Sequence, residues 1–352
     1  MIIHNGQAEE KQTEGLERRQ RRQFSNVGLA ASAFLALPIM LQMLAALGVG
    51  SLLRLTGMER LDLGPDLLLF LSAVTMYLIA FPLSAALMER IPKCGAPERE
   101  IWGLRRFLLC LVLGAGLGFG GSLLGQLMAG FGADSANAEE MTRMMMETSL
   151  WMNVSLTVVA GPIIEELFFR KLIMDRLLGF GQLTAILLSA FLFALAHGNF
   201  SQFFYAFALG FLWGYVYAKT GRIGYTIAFH MIFNFFGGIV VLELTKLMEG
   251  GLGNHWLVKF IGLFLEIEPG LLEGVVSALG MSFGACMMIA YGMAVLVCFG
   301  AVPILLFVFR KRICFEPGRW PLKKGRRLRT AVLNGGILLY VFLSIGLFLW
   351  NS

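Results

Sequence analysis

Apolar residues in this chain gather into long runs separated by short polar and basic stretches, over a length of 352 residues. A helix that crosses a lipid bilayer needs about 20 apolar residues, and fewer when flanking side chains anchor it. Nine runs answer to that description, at 27–52, 66–88, 107–130, 149–169, 183–198, 201–218, 223–242, 279–309 and 330–350, the fifth and sixth being the shortest. The pattern predicts an all-α, polytopic membrane protein of about nine transmembrane helices. The first 23 residues are polar, with charges of both signs, and no short apolar core followed by small residues occurs there, so the expectation is a soluble tail and no removable signal peptide.

Composition agrees with the runs. The chain is 57% hydrophobic and 15% charged, with a mean hydropathy of +0.72, far from the soluble balance of about 25% charged. A net charge of +6 raises the question of nucleic acid, but the basic residues lie between the apolar runs, where they set topology instead. Alternating the sides from a cytoplasmic N-terminus places 24 of the 29 Lys and Arg on the cytoplasmic side and leaves Arg54, Arg60, Arg143, Lys246 and Lys259 outside. That asymmetry is what correct spans should give, and it predicts a multi-pass protein of the cell membrane with its N-terminus in the cytoplasm and its C-terminus outside. The stretch Arg310 to Arg329, with nine basic residues and one acid, reads as a positive-inside anchor beside anionic headgroups.

Several features carry no chemistry. The five cysteines, Cys94, Cys110, Cys286, Cys298 and Cys314, show no CxxC pair and no disulfide framework. Gly116 to Gly121 matches a dinucleotide-binding expression, but inside an apolar run the pairs Gly116/Gly120 and Gly121/Gly125 read as close helix contacts. Met141 to Glu147, near Asp134, Glu139 and Glu140, reads as an outer loop with a short interfacial helix, and Trp256 to Leu265 as an interfacial or re-entrant segment.

Polar residues within the runs are the exception that matters. Glu165 and Glu166 stand together in the fourth run, and a carboxylate in lipid costs a few kcal/mol, so it marks a functional site and calls for a partner. Helical spacing puts Glu166 one turn from Arg170 and turns Glu165 about 100° away. Glu166 is then the structural partner of Arg170, and Glu165 is left free. Two of the four histidines, His197 and His230, fall within or at the end of nearby runs; Phe193 precedes His197 by four residues and Asn234 follows His230 by four. Helices four and five should turn near Gly179 to Gly181, which brings Glu165 and His197 to similar heights.

Glu165-Glu166-x-x-x-Arg170, Phe193-x-x-x-His197 and His230-x-x-x-Asn234, in this order on successive apolar segments, resemble the CPBP family of intramembrane proteases. That family includes CAAX prenyl endopeptidases and bacterial relatives associated with bacteriocin processing and self-immunity. The resemblance covers about residues 149–242. It implies a core of four helices in which Glu165 is the general base, His197 helps to hold the attacking water, and His230 and Asn234 stabilise the oxyanion. Glu166 with Arg170 is the structural ion pair, and Phe193 packs beneath His197. The implied layout is a cytoplasmic polar tail (1–23), N-terminal transmembrane helices (24–148), the catalytic core (149–242), an extracytoplasmic loop with an interfacial segment (243–278), and C-terminal transmembrane helices with a basic cytoplasmic loop (279–352).

The expected activity is cleavage of a membrane-associated peptide or protein, with a lipidated C-terminus, a leader peptide and a signalling-peptide precursor all consistent. The expected partners are the bilayer and that substrate, with no nucleic acid, and no cofactor is expected. Two alternatives stay open: a zinc-dependent protease with Glu165, His197 and His230 as ligands, and a non-catalytic immunity or scaffold protein that binds a peptide with the same cluster. Zinc is the less favoured, since no further Asp or Glu is available near the histidines to orient them and Glu166 is committed to Arg170.

Overall fold

The computed structural model describes residues 2–56, 63–129, 142–250 and 283–350, and these are helical apart from their connections. Nine rods stand among the described residues, one for each apolar run. They are α1 (Ile2–Thr56), α2 (Pro65–Glu89), α3 (Leu104–Ala129), α4 (Leu150–Met174), α5 (Gln182–Ala196), α6 (Phe200–Thr220), α7 (Ile223–Met248), α8 (Phe283–Phe309) and α9 (Gly335–Trp350). Residues 142–147, expected as a short interfacial helix, are helical. Asp134, Glu139, Glu140, Met141 and the segment Trp256 to Leu265 lie outside the described residues. Residues 243–250, expected as the start of an extracytoplasmic loop, are helical, and the rest of that stretch to 278 lies outside the described residues.

Six of these helices are long and apolar enough to cross a membrane, or seven if α9 and the short helix before it form one bent span. The expected fifth and sixth spans fall short of that test. α5 is apolar but has only 15 residues, and α6, with 21 residues, carries Ser201, Gln202, Lys219 and Thr220 among its apolar side chains. Both are packed on several sides by other helices and bury much of their length, so they need less of the apolar surface that lipid demands.

α4, α5, α6 and α7 form the centre, with α3 packed along α6 and α8 along the far side of α3. α1 lies against α2 and α9, and α9 reaches α5. The glycines of α3 explain its place between two partners. A Cβ on Gly121 would stand 2.4 Å from the Tyr205 Cα and one on Gly125 2.7 Å from the Ser201 carbonyl, both on α6, whereas one on Gly116 would meet the Cys298 carbonyl of α8 at 2.6 Å. Backbones approach closely along two seams of one helix, as small residues permit.

The basic stretches assigned to one side of the membrane do meet at one end of the molecule. Gln23 of α1 donates to the Pro92 and Arg176 carbonyls at 2.7 and 3.3 Å, and Gln20 to the Trp320 carbonyl at 3.1 Å. Glu98 accepts from Lys219 and Gln182, both at 2.7 Å, and the Gln182 amide N–H donates to the Glu316 carbonyl at 3.1 Å. The described part of the polar tail is therefore a docked helical extension of α1, with Gln20 buried.

Candidate active site

The turn between α4 and α5 falls where glycines were expected to place it, with a short 3₁₀ segment at Leu178–Phe180 and Gly181 leading into α5. The two antiparallel helices bring the fourth-run glutamates and the fifth-run histidine to one level. α4 is not uniformly α-helical. It widens into π-helical turns at Val154–Ala160, just before Pro162, and again at Leu167–Met174. Pro162 has no N–H to give and its ring crowds the Val158 carbonyl, which accounts for the first widening. α7 widens at Phe235–Val240, immediately after Asn234 and around Gly237 and Gly238.

Glu166 and Arg170 form the expected pair, Oε2 to Nε at 3.2 Å, with both side chains fully buried. No conventional hydrogen bond reaches the Arg170 nitrogens; the guanidinium instead lies over the rings of Phe193 at 4.4 Å and Trp213 at 5.6 Å. Gly210 leaves the space, since a Cβ there would stand 3.3 Å from Arg170 Nη2.

The structure corrects one part of the sequence reading. Glu166 is not committed to Arg170 alone: its other oxygen, Oε1, receives the Nδ1–H of His230 at 3.0 Å. A carboxylate does orient this histidine, and the two are 64 residues apart in the chain. Because Nδ1 donates to Glu166, the Nε2 side of the ring is turned toward Glu165, whose Oε2 is 3.8 Å away. Thr226, one turn before His230, lies beside Glu166, with its hydroxyl donating to the Ile223 carbonyl at 3.0 Å.

Glu165 keeps 26% of its side-chain surface exposed, against none for Glu166. His197 caps the end of α5 and donates Nδ1–H to the Phe193 carbonyl at 2.9 Å, which leaves its Nε2 as the free ring atom. It lies within electrostatic reach of Glu165 and His230. Asn234 donates one N–H to the Thr157 carbonyl at 2.8 Å, a carbonyl of the widened turn in α4, and keeps its second N–H. Phe193 does more than pack beneath His197. Its ring meets His197 edge-on at 4.9 Å and His230 edge-on at 5.7 Å while Arg170 covers its face. All seven residues singled out from the sequence therefore belong to one neighbourhood.

Comparison with known proteins falls on the same segment. Residues 147–236 match the family model "Type II CAAX prenyl endopeptidase Rce1-like". Over that segment the chain is similar to the Rce1-like family. The resemblance to CPBP proteases read from the motifs is thereby shown. The chain is 31% identical over 147 residues to "Putative membrane peptidase YdiL" of Bacillus subtilis (strain 168), which is 42% of this chain and 58% of that protein. It is 31% identical over 97 residues to "Membrane-embedded CAAX protease MroQ" of Staphylococcus aureus (strain USA300), 25% of this chain and 38% of that protein. The chain thus covers little more than half of the longer-matched relative, and no solved structure matches it significantly.

Two residues of the Rce1-like segment escaped sequence reasoning. Trp213 stacks on the His230 ring at 4.5 Å with the planes 28° apart, and Thr226 lies beside Glu166. Thr226 shares the helix face of His230 and Asn234 at four-residue spacing, a signal that was available; a tryptophan among the apolar residues of α6 gave none. Among the described residues no three His, Cys, Asp or Glu side chains form a group that could hold a metal ion.

Proposed function

We propose that the chain is an intramembrane endopeptidase in which Glu165 activates water to hydrolyse a peptide bond of a membrane-associated substrate. The observation that carries this reading is the unlike environment of two adjacent carboxylates. Glu166 is fully buried and holds both Arg170 and His230, whereas Glu165 is partly open and meets only the Nε2 edge of His230. A general base needs a lone pair in reach of water and freedom to take a proton, and Glu165 alone of the pair has both.

In this mechanism water is held between Glu165 and the free Nε2 of His197. Glu165 takes one proton as the water oxygen bonds to the scissile carbonyl carbon, and passes it to the leaving amine nitrogen as the C–N bond breaks. The developing oxyanion is met by the second N–H of Asn234 and by an Nε2–H of His230, whose Nδ1–H is held by Glu166. Such donors in a water-poor site are worth about 3 kcal/mol each. Glu166, Arg170, Phe193 and Trp213 hold the His230 ring on three sides, so the donor is positioned before substrate arrives. No step is routed through a metal.

The names of the relatives, a membrane peptidase and a CAAX protease, support a lipidated or otherwise membrane-bound peptide as substrate. The bias of basic residues, and their meeting at one end of the fold, support a cytoplasmic N-terminus. The test is quantitative proteomics of membrane-associated peptides in cells expressing the wild type or Glu165→Ala. The expected result is a set of peptides cut only in the first; identical peptide profiles with equal protein levels would refute the reading.

A further inference from the structure

Only part of the surroundings of Glu165 comes from the segment that matches the family. The second rod, α2, lies outside it and packs on α4. Like α4, α2 widens into π-helical turns just ahead of a proline, at Val74–Ala80 before Pro82. Tyr77 sits in the middle of that widened stretch. Its hydroxyl makes one long hydrogen bond, 3.5 Å to the Leu156 carbonyl, too long to use the donor fully.

Gly161 separates this hydroxyl from the proposed base. A Cβ at Gly161 would stand 3.1 Å from Tyr77 Oη and 3.8 Å from Glu165 Oε1. The two oxygens therefore border the same bare patch of α4, and Tyr77 lies within electrostatic reach of Glu165. With no side chain at Gly161, the gap is bordered by polar atoms, the Leu156 carbonyl among them at 3.1 Å from that Cβ, and a water lying there would hydrogen-bond them.

Five other polar groups lie around Glu165, and the two hydroxyls among them are engaged elsewhere. The five are His230 on α7, His197 on α5, Arg170 on α4 itself, Tyr205 on α6 and Tyr340 on α9. Tyr340 donates to the Leu192 carbonyl at 2.7 Å, and Tyr205 hydrogen-bonds Gln202. Tyr77 is the hydroxyl beside Glu165 whose present bond is weak.

We infer that Tyr77 is a positioning residue of the site, its hydroxyl donating across the Gly161 gap to a water that in turn donates to the Glu165 carboxylate. This rests on the role of Glu165 proposed above. A phenyl ring would pack in the same space, so the part of Tyr77 that matters is its donor.

The test needs no known substrate. Dicyclohexylcarbodiimide modifies protonated carboxyl groups in apolar surroundings, and mass spectrometry of the purified full-length protein reads the extent at Glu165 as a function of pH. A donor to the ionised carboxylate favours that form. Tyr77→Phe should therefore move the midpoint of labelling at Glu165 upward by about one pH unit, roughly tenfold in the protonated fraction above the midpoint, with an unchanged unfolding temperature. Gly161→Ala, whose methyl fills the gap, should do the same, and it decides alone if Tyr77→Phe does not fold. A labelling profile that coincides with the wild type overturns the inference. The outcome is separable from that of the proteomics: unchanged peptides in Glu165→Ala would sink the protease while leaving the labelling shift in place.

Discussion

Arg170→Met is the substitution that tests the division of labour between the two glutamates. The Arg170 guanidinium is fully buried, 3.2 Å from a fully buried carboxylate. At an effective dielectric of about 20 that pair attracts by about 5 kcal/mol, part of which offsets the cost of taking both charges out of water. Methionine fills much of the same volume and removes the charge. Glu166 is then left with the Nδ1–H of His230 on Oε1 and with no cation on Oε2, and a broken buried pair costs about 3–5 kcal/mol. Loss of the guanidinium from the faces of Phe193 and Trp213 adds about 0.5–2 kcal/mol. Glu165→Gln is nearly isosteric, at a side chain that is 26% exposed and 3.8 Å from its nearest charge partner, so its cost should stay below about 1 kcal/mol. Thermal unfolding in detergent, followed by tryptophan fluorescence, should show the Arg170→Met midpoint lower by roughly 10 °C and that of Glu165→Gln within a few degrees of wild type, although the latter loses all cleavage. The double variant Glu166→Gln with Arg170→Met should recover part of the loss, because it leaves no buried charge at the pair. Equal losses in the two single variants would refute the reasoning.

Three further outcomes are expected. Cys314 is exposed in the basic stretch, and a membrane-impermeant maleimide should reach it in inverted vesicles but not in intact cells; labelling in intact cells would reverse the orientation. Dialysis against a strong chelator should leave cleavage intact, whereas loss that zinc restores would replace the water-activating role of Glu165 with that of a ligand. Glu98 joins the 91–103 connection to α5 and α6; burial alone would raise its pKa, but hydrogen bonds from Lys219 and Gln182 hold it below the ordinary carboxylate value. A lowered folded-state value means the link stabilises fully above the ordinary carboxylate pKa, about 4.3, and is lost as pH falls through the folded value. The unfolding midpoint of wild type should therefore drop more than that of Glu98→Gln between pH 6 and about pH 3, and parallel curves would refute the link.

What the sequence made legible was local or compositional. Run length and basic bias forecast nine helical rods; four-residue spacing forecast the Glu166 to Arg170 pair; glycines inside the third run forecast close seams, which α3 forms with both α6 and α8. What it hid depends on how rods are turned against one another. The second oxygen of Glu166 finds His230 only because α7 crosses α4 there, and spacing within either helix is silent about that. Trp213 looks like any apolar residue of α6 until its ring lies flat on an imidazole. α5 and α6 were expected to resemble lipid-facing spans, yet helices enclosed by other helices are relieved of that demand.

The widened turns of α2, α4 and α7 bear on how this protein tolerates heredity's smallest length changes. A π-helical turn amounts to an α-helix that has accepted one additional residue. A codon lost from the stretch Val154–Ala160 would return α4 to ordinary pitch, shortening it by about 1.5 Å and turning its first half by about 100° against Glu165. Such a helix would still cross the bilayer and keep every motif residue. Asn234 would nevertheless lose the carbonyl it now meets at Thr157. The alignment of the site is thus written partly in the number of residues, a quantity that exchanging side chains one at a time leaves untouched.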